Sequence, residues 1–444
     1  MQKLAQLYGK LRAFSTSRMV CGTLAPAGWI GLALCGSSVA QGPTKSSETV
    51  QHLGRQATPE LVLVVAVDQL RRDRVTHELP GGIGRLVRGG RVFSQAQLDH
   101  AISTTCPGHA VMLSGRQPGK LGVPDNAHLD RNSWQQRYCV ADPDSPSLEG
   151  GAGRSPKLIK ASMLGDWLQV AQPDAQVISI GAKDRAVVAL GGYGPSAAVW
   201  FDRGLGRFTT SRYYATVLPS WAASFNGPLN TQGLPLFLAQ LPTQWQHSAG
   251  RWRADDFPGE ADDYQRSSGH PLGQGKLSDR SNQIYASPWM DDVVLKLAGA
   301  AIEAENLLAN GLLDLVALSL AATDVVGHHY GPFSAESEDA LQRLDLQLGL
   351  LLDTLLKKVS KHKLLVVLSA DHGVAPLPEF AEAANSPSCP TGSERLSAWR
   401  VLGGALWHLF RNFTAPFDTP QDLVTFAGTM IYVTNNSELL GEHS

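Results

Sequence analysis

Four short segments of the chain contain side chains that could act together in hydrolysis. They supply one hydroxyl, three carboxylates and two imidazoles, on Thr105, Asp68, Asp324, Asp371, His328 and His372. Mixed carboxylate and imidazole ligands suit Zn²⁺ better than Mg²⁺ or Ca²⁺. A hydroxyl must be activated to act as a nucleophile, and a bound Zn²⁺ can do this by lowering its pKa. The set therefore predicts a two-metal hydrolytic site in which Thr105 attacks the substrate.

Thr105 stands at the predicted start of a helix. Thr at the N-cap, Pro107 in the first turn and Gly115 at the end are favoured residues for those positions. Free amides and the macrodipole make a helix N-terminus attractive to anions, so a phosphate group could bind there. For an isolated Thr-x-Pro, simple capping would be the better interpretation. Only the other three segments favour a nucleophile.

Apolar, β-branched runs precede the three acidic residues. Residues 61–67, 312–320 and 364–368 are typical of strands buried on both faces of a parallel sheet. Leucines at helical spacing between the last two runs predict a core-packing helix and a right-handed strand–helix–strand crossover. A further short strand is predicted at 177–180, after an amphipathic helix around 158–170. The predicted fold class is α/β, with a mostly parallel central sheet and helices on both faces, whose strand ends would bring the three carboxylates together.

Differences in composition along the chain predict its segments and domains. We predict a signal peptide (1–40), a flexible leader (41–59) and a catalytic domain (60–444) with a cap insertion at about 208–288. The leader is rich in Gly, Pro, Ser and Thr. The insertion is rich in Trp, Gln, Gly, Pro and Ser and has no clear periodicity. A chain of 444 residues is long enough for one large domain with insertions or for two domains.

The N-terminal segment has the pattern of an export signal. Its first 47 residues contain no Asp or Glu but several Lys and Arg, and an apolar stretch at 19–34 leads to the small residues of Ser38-Val39-Ala40. A membrane anchor and a mitochondrial transit peptide are the alternatives, and Pro26 with the Gly and Ser content disfavours a stable span. We therefore expect cleavage after Ala40 and an exported protein, periplasmic or secreted, with no membrane span.

Net charge limits the classes of binding partner, and the cysteines indicate the redox compartment. A net charge of −2, from 38 basic and 40 acidic residues, gives no bulk electrostatic reason to bind nucleic acid or anionic lipid. We expect instead a small-molecule partner held by local charges or metals. Signal cleavage would leave Cys106, Cys139 and Cys389, and we predict a Cys139–Cys389 disulfide in an oxidising compartment. No CxxC spacing is present, so cysteine is not expected to bind the metal.

From about residue 61 to residue 373, the four segments resemble, in the same order, those of the alkaline phosphatase superfamily. That superfamily includes the nucleotide pyrophosphatase/phosphodiesterases. The resemblance implies a phosphothreonine intermediate and two zinc ions. The implied ligands are Asp68, Thr105, Asp371 and His372 for the first zinc, and Asp324, His328 and one further His, downstream of Asp-His-Gly, for the second.

Two further matches resemble the phosphate-irrepressible alkaline phosphatases. Asn126, in Gly-Val-Pro-Asp-Asn, stands where relatives carry an Asn that hydrogen-bonds a phosphoryl oxygen. Lys183 and Arg185 match a Lys-x-Arg segment whose cations contact the non-bridging oxygens of a phosphate ester. A diester has fewer charged oxygens for two cations, so the resemblance favours hydrolysis of phosphate monoesters, which is alkaline phosphatase activity. Without the other motifs, a solvated loop would be the better interpretation of Lys183 and Arg185.

The chain departs from the family pattern after Asp371-His372. The later histidines, His408 and His443, lack the setting in which relatives place their last zinc ligand. We therefore expect one tightly bound zinc, a second site that is weak and incomplete, and little hydrolysis, and we interpret the domain as lacking its C-terminal part. Nucleotide pyrophosphatase/phosphodiesterase activity is the alternative function. A non-catalytic phosphate-binding remnant is a second alternative.

Overall fold

The computed structural model describes most of the predicted catalytic domain. The described residues are 59–383 without 231–233, 249, 262 and 361–362, together with 424–427 and 430–433. The predicted signal peptide, nearly all of the leader, Cys389, His408 and His443 lie outside them. Among the residues described, no helix is both long enough and apolar enough to cross a membrane.

The described strands form one large sheet and three two-stranded ones. In chain order they are β1 (Leu61–Val67), β2 (Ala127–Leu129), β3 (Gln136–Tyr138), β4 (Val177–Gly181), β5 (Ala197–Asp202), β6 (Arg207–Thr209), β7 (Gln244–Trp245), β8 (His270–Pro271), β9 (Asp314–Leu320), β10 (Leu364–Ser369), β11 (Val424–Ala427) and β12 (Met430–Val433). The large sheet has the order β10-β1-β9-β4-β5-β6, and within it β6 alone pairs antiparallel. The prediction of a mostly parallel central sheet is confirmed.

Helices connect most of the sheet strands. In chain order they are α1 (Gly82–Gly89), α2 (Thr105–Ser114), α3 (Pro118–Leu121), α4 (Leu164–Ala171), α5 (Asp184–Gly191), α6 (Ser220–Asn226), α7 (Leu236–Ala239), α8 (Leu277–Tyr285), α9 (Trp289–Ala304), α10 (Ala322–Tyr330), α11 (Ala335–Lys358) and α12 (Pro378–Ala383). The leucine stripe predicted to be helical lies on α11, between β9 and β10.

Alternate residues of the buried strands face two separate helical layers. Leu63 and Val65 of β1 belong to a core with side chains of α1, α9 and α11. Val64 and Ala66 of the same strand belong to a second core, with side chains of α2 and α5. This alternation follows from the geometry of a strand, in which successive side chains point to opposite faces of the sheet. The prediction of helices on both faces is confirmed.

One predicted strand is less buried than expected. β10 lies at the edge of the large sheet, and its Leu365 and Val367 are 48% and 43% exposed. The prediction that residues 364–368 are buried on both faces is therefore wrong. Among the described strands β10 pairs with β1 alone, and one of its faces is partly exposed.

Residues 208–288, the predicted cap insertion, contain β7, β8, α6, α7 and α8. The first part packs against the main sheet, because Phe208 and Trp221 are buried in the same core as α9. The β7–β8 pair belongs to a smaller core, in which Trp245 packs with Tyr330 of α10. The segment therefore packs against α9 through the first core and against α10, which follows β9, through the second.

Candidate active site

The three predicted acidic residues converge at the carboxyl ends of the parallel strands. Asp68 follows β1 directly, Asp371 comes shortly after β10, and Asp324 lies in the first turn of α10, after β9. All three are buried. Gln69, the residue after Asp68, connects Asp371 with Asp324. Its backbone N–H donates to Asp371 Oδ1 at 3.1 Å, and its Nε2 donates to Asp324 Oδ1 at 2.8 Å. The structure therefore brings together carboxylates that are far apart in the sequence.

Gln69 is a site residue that sequence reasoning missed. Its φ of 65° lies in the left-handed region, which is uncommon for residues other than Gly. Its side chain fits because Gly327 has none: a Cβ at Gly327 would lie 2.2 Å from Gln69 Oε1. The only signal in the sequence is its position directly after Asp68, and this does not reveal the backbone conformation.

Asp68, Asp371 and His372 form a group that could bind a metal ion. Their ligand atoms lie within 4.8 Å of one another. His372 Nε2 is 3.5 Å from Asp68 Oδ1 and 3.5 Å from Asp371 Oδ2, and both oxygens are buried without a hydrogen-bond partner in the described structure. The Gly373 carbonyl accepts from His372 Nδ1 at 2.9 Å, which leaves Nε2 unprotonated and free to bind a cation. Two such oxygens and a ring nitrogen fit a divalent metal.

His109, predicted to be a packing or polar support residue, contacts this group from α2. Its Nδ1 lies 2.9 Å from the Thr105 carbonyl and 3.1 Å from Asp371 Oδ2, and its Nε2 lies 2.9 Å from Ser319 Oγ. Burial alone would lower the pKa of His109, but the adjacent Asp371 carboxylate outweighs it and raises the pKa. Gly108 allows the close approach, since a Cβ there would lie 2.6 Å from the Asp371 carbonyl oxygen.

Thr105 is the first residue of α2, and Thr104 is the N-cap residue. The prediction of Thr105 at the N-cap is therefore wrong by one position, because Thr104 still has extended backbone dihedrals, φ −125° and ψ 167°. Gly115 ends the helix as predicted, with a φ of 62°. The shift leaves the Thr105 side chain on the first turn of the helix, where it is not used as a cap.

The Thr105 hydroxyl lies between one carboxylate and two cations. Its Oγ1 donates to Asp68 Oδ2 at 3.4 Å. Lys183 Nζ and Arg185 Nη2 donate to Oγ1 at 3.5 Å and 3.3 Å. Thr105 itself is only 3% exposed. The hydroxyl thus has a nearby proton acceptor and two positive charges that would stabilise a negative charge on its oxygen.

Asn126 and a disulfide position the start of α2. Asn126 Oδ1 accepts from the Cys106 backbone N–H at 2.8 Å, and the Asn126 carbonyl accepts from Cys139 N–H at 2.9 Å. Cys106 and Cys139 are bonded to each other, with their Cα atoms 6.7 Å apart. The predicted pairing of Cys139 with Cys389 is therefore wrong, because Asn126 holds Cys139 beside the first turn of α2.

Lys183 is buried between two of the carboxylates. Its Nζ donates to Asp68 Oδ2 at 2.7 Å and also forms an ion pair with Asp324. Burial alone would lower the pKa of Lys183, but Asp68 and Asp324 outweigh it, so the pKa is raised and the side chain remains a cation. Burial, followed by the charge of Asp371, raises the pKa of Asp68 to about 6. Interpreting Lys183 as part of a solvated loop is therefore wrong.

Arg185 is held by a residue outside the predicted set. Tyr138 OH accepts from Arg185 Nη1 at 3.5 Å and donates to Asp184 Oδ1 at 2.6 Å. Asp184 also forms an ion pair with Arg154. Tyr138 precedes the disulfide-bonded Cys139, so the disulfide that anchors α2 also anchors the residue that orients Arg185. This relation depends on tertiary contacts and has no signal in the sequence.

Asp324 and His328 lie one helical turn apart on α10. His328 Nε2 is 3.2 Å from Asp324 Oδ1, and the His328 side chain is 69% exposed. Burial would raise the pKa of Asp324, but Lys183 and His328 outweigh it and hold the pKa below its usual range. Within the described part of the chain, no third His, Cys, Asp or Glu joins these two in a metal-binding group.

A cleft of about 760 Å³ opens beside these residues. Four of the side chains that line it are cationic, namely Arg154, Lys183, Arg185 and Arg203. Three carboxylates, those of Asp184, Asp202 and Asp324, also line it, together with His328, so the cations exceed the carboxylates by one. Ligand sites of this size accommodate small molecules, and the charges favour an anionic one.

The parallel sheet, with Asp68, Asp371 and His372 at its strand ends (named here the strand-end group), is that of the alkaline phosphatase superfamily. Residues 62–390 match the family described as type I phosphodiesterase / nucleotide pyrophosphatase. The chain belongs to that family, and the resemblance inferred from its motifs is confirmed.

Several curated relatives are named alkaline phosphatases. PafA of Elizabethkingia meningoseptica is 30% identical over 365 residues, which cover 76% of this chain and 64% of that protein. PhoK of Sphingomonas sp is 31% identical over 333 residues, which cover 72% of this chain and 56% of that protein. PhoV of Synechococcus elongatus is 30% identical over 339 residues, which cover 73% of this chain and 60% of that protein. The chain thus spans less than two thirds of the length of these relatives.

Crystal structures of PafA have the same fold. A PafA variant with four substitutions matches with a TM-score of 0.75 at 24% identity, covering 86% of this chain and 74% of that chain. Wild-type PafA matches with a TM-score of 0.68 at 26% identity, covering 86% of this chain and 73% of that chain. The predicted α/β alkaline phosphatase fold is confirmed.

Proposed function

We propose that this protein hydrolyses phosphate monoesters, with Thr105 as the nucleophile and Zn²⁺ as the metal. The observation that carries the proposal is the position of Thr105 Oγ1. It lies 3.4 Å from a carboxylate oxygen of Asp68 and within 3.5 Å of Lys183 and Arg185, beside the metal-binding group. A hydroxyl in this setting has the acceptor, the positive charge and the neighbouring metal ligands that nucleophilic catalysis needs.

In the first step the Thr105 oxygen forms a bond to phosphorus, and the bond from phosphorus to the leaving oxygen breaks. The Thr105 hydroxyl proton is directed at Asp68 Oδ2, its nearest carboxylate acceptor. The leaving oxygen takes a proton from water, and the products are a phosphothreonine, an alcohol and hydroxide. In the second step hydroxide attacks phosphorus, the bond to Thr105 breaks, the Thr105 oxygen takes back the proton held by Asp68, and inorganic phosphate leaves.

Asp68, Asp371 and His372 would hold the first metal together with Thr105. When bound, Zn²⁺ there lowers the pKa of the hydroxyl and neutralises charge on the attacking oxygen. The mixed oxygen and imidazole donors favour Zn²⁺ over Mg²⁺ or Ca²⁺. Asp324 and His328 would contribute to a second ion, which we expect to be bound more weakly than the first.

Lys183, Arg185 and Asn126 would bind the phosphoryl oxygens. Lys183 and Arg185 are both within reach of Thr105 Oγ1 and both line the cleft. A monoester dianion presents more charge to these cations than a diester does, which favours monoesters. Asn126 lies at the start of α2, where a phosphoryl oxygen would also meet the positive end of the helix dipole.

One PafA crystal structure supports this set of residues. It is that of the variant with substitutions at one Thr, one Asn, one Lys and one Arg. The substituted Thr and Asn are separated by the same number of residues as Thr105 and Asn126, and the substituted Lys and Arg by the same number as Lys183 and Arg185. PafA is named an alkaline phosphatase, and the curated relatives PhoK and PhoV carry the same name.

Phosphodiester hydrolysis is the second candidate, because the family that matches residues 62–390 is described as type I phosphodiesterase / nucleotide pyrophosphatase. In that case the substrate would be a nucleotide diester or pyrophosphate, and Lys183 and Arg185 would not discriminate in favour of a dianion. A phosphate-binding protein without turnover is the third candidate.

The zinc-loaded chain can be assayed with an aryl phosphate and with its methyl diester, side by side. We expect a higher kcat/KM for the monoester and a phosphorylated Thr105 that can be trapped by acid quenching. A higher kcat/KM for the diester would establish the second candidate instead. Zinc binding without turnover of either ester, and without phosphoenzyme, would establish the third.

We also propose that the protein is exported to the periplasm or beyond. Two observations support this location: the signal-like pattern that ends at Ala40, and the Cys106–Cys139 disulfide, which forms in oxidising compartments. Fractionation of the producing cells tests it. We expect the chain outside the cytoplasm with a new N-terminus after Ala40, and a cytoplasmic chain with free thiols would contradict the proposal.

A further inference from the structure

A second group of side chains with metal-ligand geometry lies away from the strand ends. It consists of His247, His270 and Glu336, named here the cap cluster. The two Nε2 atoms are 3.1 Å apart, and each is 3.3 Å from Glu336 Oε1. Three ligands at about 2.0–2.1 Å from a tetrahedral Zn²⁺ lie about 3.3–3.4 Å from one another. The three atoms of the cap cluster are therefore nearly as far apart as a shared metal would require.

Hydrogen bonds set the tautomers of both imidazoles. His247 Nδ1 is 3.0 Å from the Ser248 carbonyl, and His270 Nδ1 is 3.0 Å from the Tyr264 carbonyl. A carbonyl oxygen only accepts hydrogen bonds, so each Nδ1 carries a proton, and in the neutral form of each ring the inward-facing Nε2 is the unprotonated nitrogen. The same kind of carbonyl contact fixes the orientation of many metal-binding histidines.

Glu336 supplies the negative charge and has no other partner. Its side chain is 1% exposed, and neither Oε1 nor Oε2 has a hydrogen-bond partner in the described structure. An ionised carboxylate buried in this way is costly unless a cation compensates it. A cation bound between the three converging atoms would compensate this charge. The contact with Glu336 outweighs burial and raises the pKa of His247, so a proton on that ring is the competing source of positive charge.

The cluster lies where three parts of the fold meet. His247 comes just after β7, His270 is in β8, and Glu336 is in the first turn of α11. Trp245 and Tyr330 cover it, with ring centroids 5.0 Å and 4.9 Å from the His270 ring. The Tyr330 hydroxyl, at the end of α10, lies 3.2 Å from His270 Nδ1. The three side chains are at most 2% exposed, as is typical of closed, structural metal sites.

We propose that the cap cluster binds one divalent transition-metal ion, such as Zn²⁺, and that this ion has a structural role. Two imidazole nitrogens and a carboxylate suit Zn²⁺ and its neighbours in the first transition series better than Mg²⁺ or Ca²⁺. Glu336 Oε2, also without a partner, is available to complete the coordination. The ion would join the β7–β8 pair to α11 and, through Tyr330, to the helix that carries Asp324 and His328.

Metal analysis of the full chain tests this proposal. The metal-stripped chain is loaded with Zn²⁺, dialysed and assayed for zinc per chain, as wild type and as Glu336→Gln, Glu338→Gln and Asp371→Asn. Glu338 is the matched control, because it lies on the same turn of α11 and accepts from the Arg251 backbone N–H, not from the cluster. We expect Glu336→Gln to retain one zinc fewer than wild type and Glu338→Gln to retain the wild-type number.

The Asp371→Asn background separates the cap cluster from the strand-end group. In that background Zn²⁺ should still raise the thermal midpoint, and the additional change Glu336→Gln should abolish the shift. If Glu336→Gln folds poorly, His247→Gln keeps two ligands and should bind the cap zinc at least tenfold more weakly, with an unchanged circular dichroism spectrum. Equal zinc in wild type and Glu336→Gln, or no zinc effect on the midpoint of Asp371→Asn, would overturn the proposal.

Discussion

The strand-end group and the cap cluster combine the same ligand types in opposite proportions. The strand-end group has two carboxylates and one imidazole, with a third carboxylate nearby, whereas the cap cluster has one carboxylate and two imidazoles. Lys183, which donates to Asp68 of the strand-end group, lines a cleft, and His328 of the same cleft is 69% exposed. The cap cluster is enclosed by Trp245 and Tyr330. The contrast matches the general difference between an open catalytic metal site and a closed structural one.

The difference in charge explains why only one of the two regions contains a buried lysine. At the strand ends, burial and the nearby Asp371 raise the pKa of Asp68 to about 6, and Lys183 lies between Asp68 and Asp324. In the cap cluster a single carboxylate faces two imidazoles, and a divalent ion alone could balance it. The excess negative charge at the strand ends is therefore compensated by cationic side chains that can also bind a substrate. The cap cluster has no such excess.

The largest expected effect is the loss of the Thr105 hydroxyl. Thr105→Ala should lower kcat for an aryl phosphate by roughly 10⁴-fold or more, because no oxygen remains to attack phosphorus. Thr105→Ser should retain part of the activity. Zinc in the cap cluster should be unchanged in both variants, since Thr105 contacts only the strand-end group. Thr104→Ala is the matched control, because its hydroxyl donates to Asp125 and is not directed at the site. Wild-type activity in Thr105→Ala would refute the assignment.

The next effect concerns the two cations that only the strand-end region has. Loss of one charge-assisted contact in the transition state costs about 1.5–3 kcal/mol, so Lys183→Ala with Arg185→Ala, which removes two, should lower monoesterase kcat/KM by roughly 10²–10⁴-fold. Diester turnover should fall much less. Arg203→Ala serves as the control, since Arg203 lines the cleft but stacks on Tyr285. Equal losses for both ester types would mean that the pair supports only the fold.

The strand-end region was predictable from the sequence because its residues follow recognisable elements. Apolar runs locate β1, β9 and β10, and an acidic residue soon after each run is visible without a structure. Gln69 was missed because its contribution depends on a backbone dihedral angle. The Cys106–Cys139 bond was missed because Asn126, not spacing, brings the two cysteines together.

The cap cluster had no comparable signal. His247 and His270 lie in a segment without periodicity, and Glu336 lies on a helix whose visible pattern is its leucine stripe. Only the packing of β7 and β8 against α10 and α11 brings the three side chains together. Metal ligands in segments without regular periodicity are therefore the hardest to predict from the sequence.

A third, smaller effect tests how far the two metal groups are independent. His109 contacts Asp371 through Nδ1 and Ser319 through Nε2, and neither residue belongs to the cap cluster. His109→Gln should weaken zinc binding at the strand ends by about 10- to 100-fold, because partners that orient a metal ligand contribute on that scale. Ser319→Ala, which removes only the contact to His109 Nε2, should have a smaller effect. Competition with a chelator measures both affinities. A parallel loss from the cap cluster would show that the two groups are coupled.

The smallest effect concerns α10, which carries Asp324 near its start and Tyr330 at its end. Asp291 of α9 is 1% exposed and accepts from the backbone N–H of Ala322, the first residue of α10, at 3.0 Å. Burial raises the pKa of Asp291 from 3.8 to about 7, although hydrogen bonds from Ala322 and Ala321 lower it in part. A carboxyl group whose pKa is higher in the folded chain than in the unfolded one keeps its proton on folding. Its contribution to stability is complete below pH 3.8 and is lost as the pH rises to about 7.

Between those limits the unfolded chain has released this proton and the folded chain has not, so the free energy of unfolding falls as the pH rises, by at most about 1.4 kcal/mol per pH unit from this group. Asp291→Asn should remove that slope and make the variant less sensitive to pH between 5 and 7, as urea unfolding at several pH values would show. The neighbouring Asp292→Asn is the control, because Asp292 pairs with Lys296 at 2.8 Å on the same helix. If Asp291→Asn keeps the wild-type slope, the buried carboxyl is already ionised in the folded protein, and α10 is held by a charged group at its start. In that case the ionised Asp291 would add a fourth negative charge to the strand-end region. The difference in negative charge between this region and the cap cluster would then be larger.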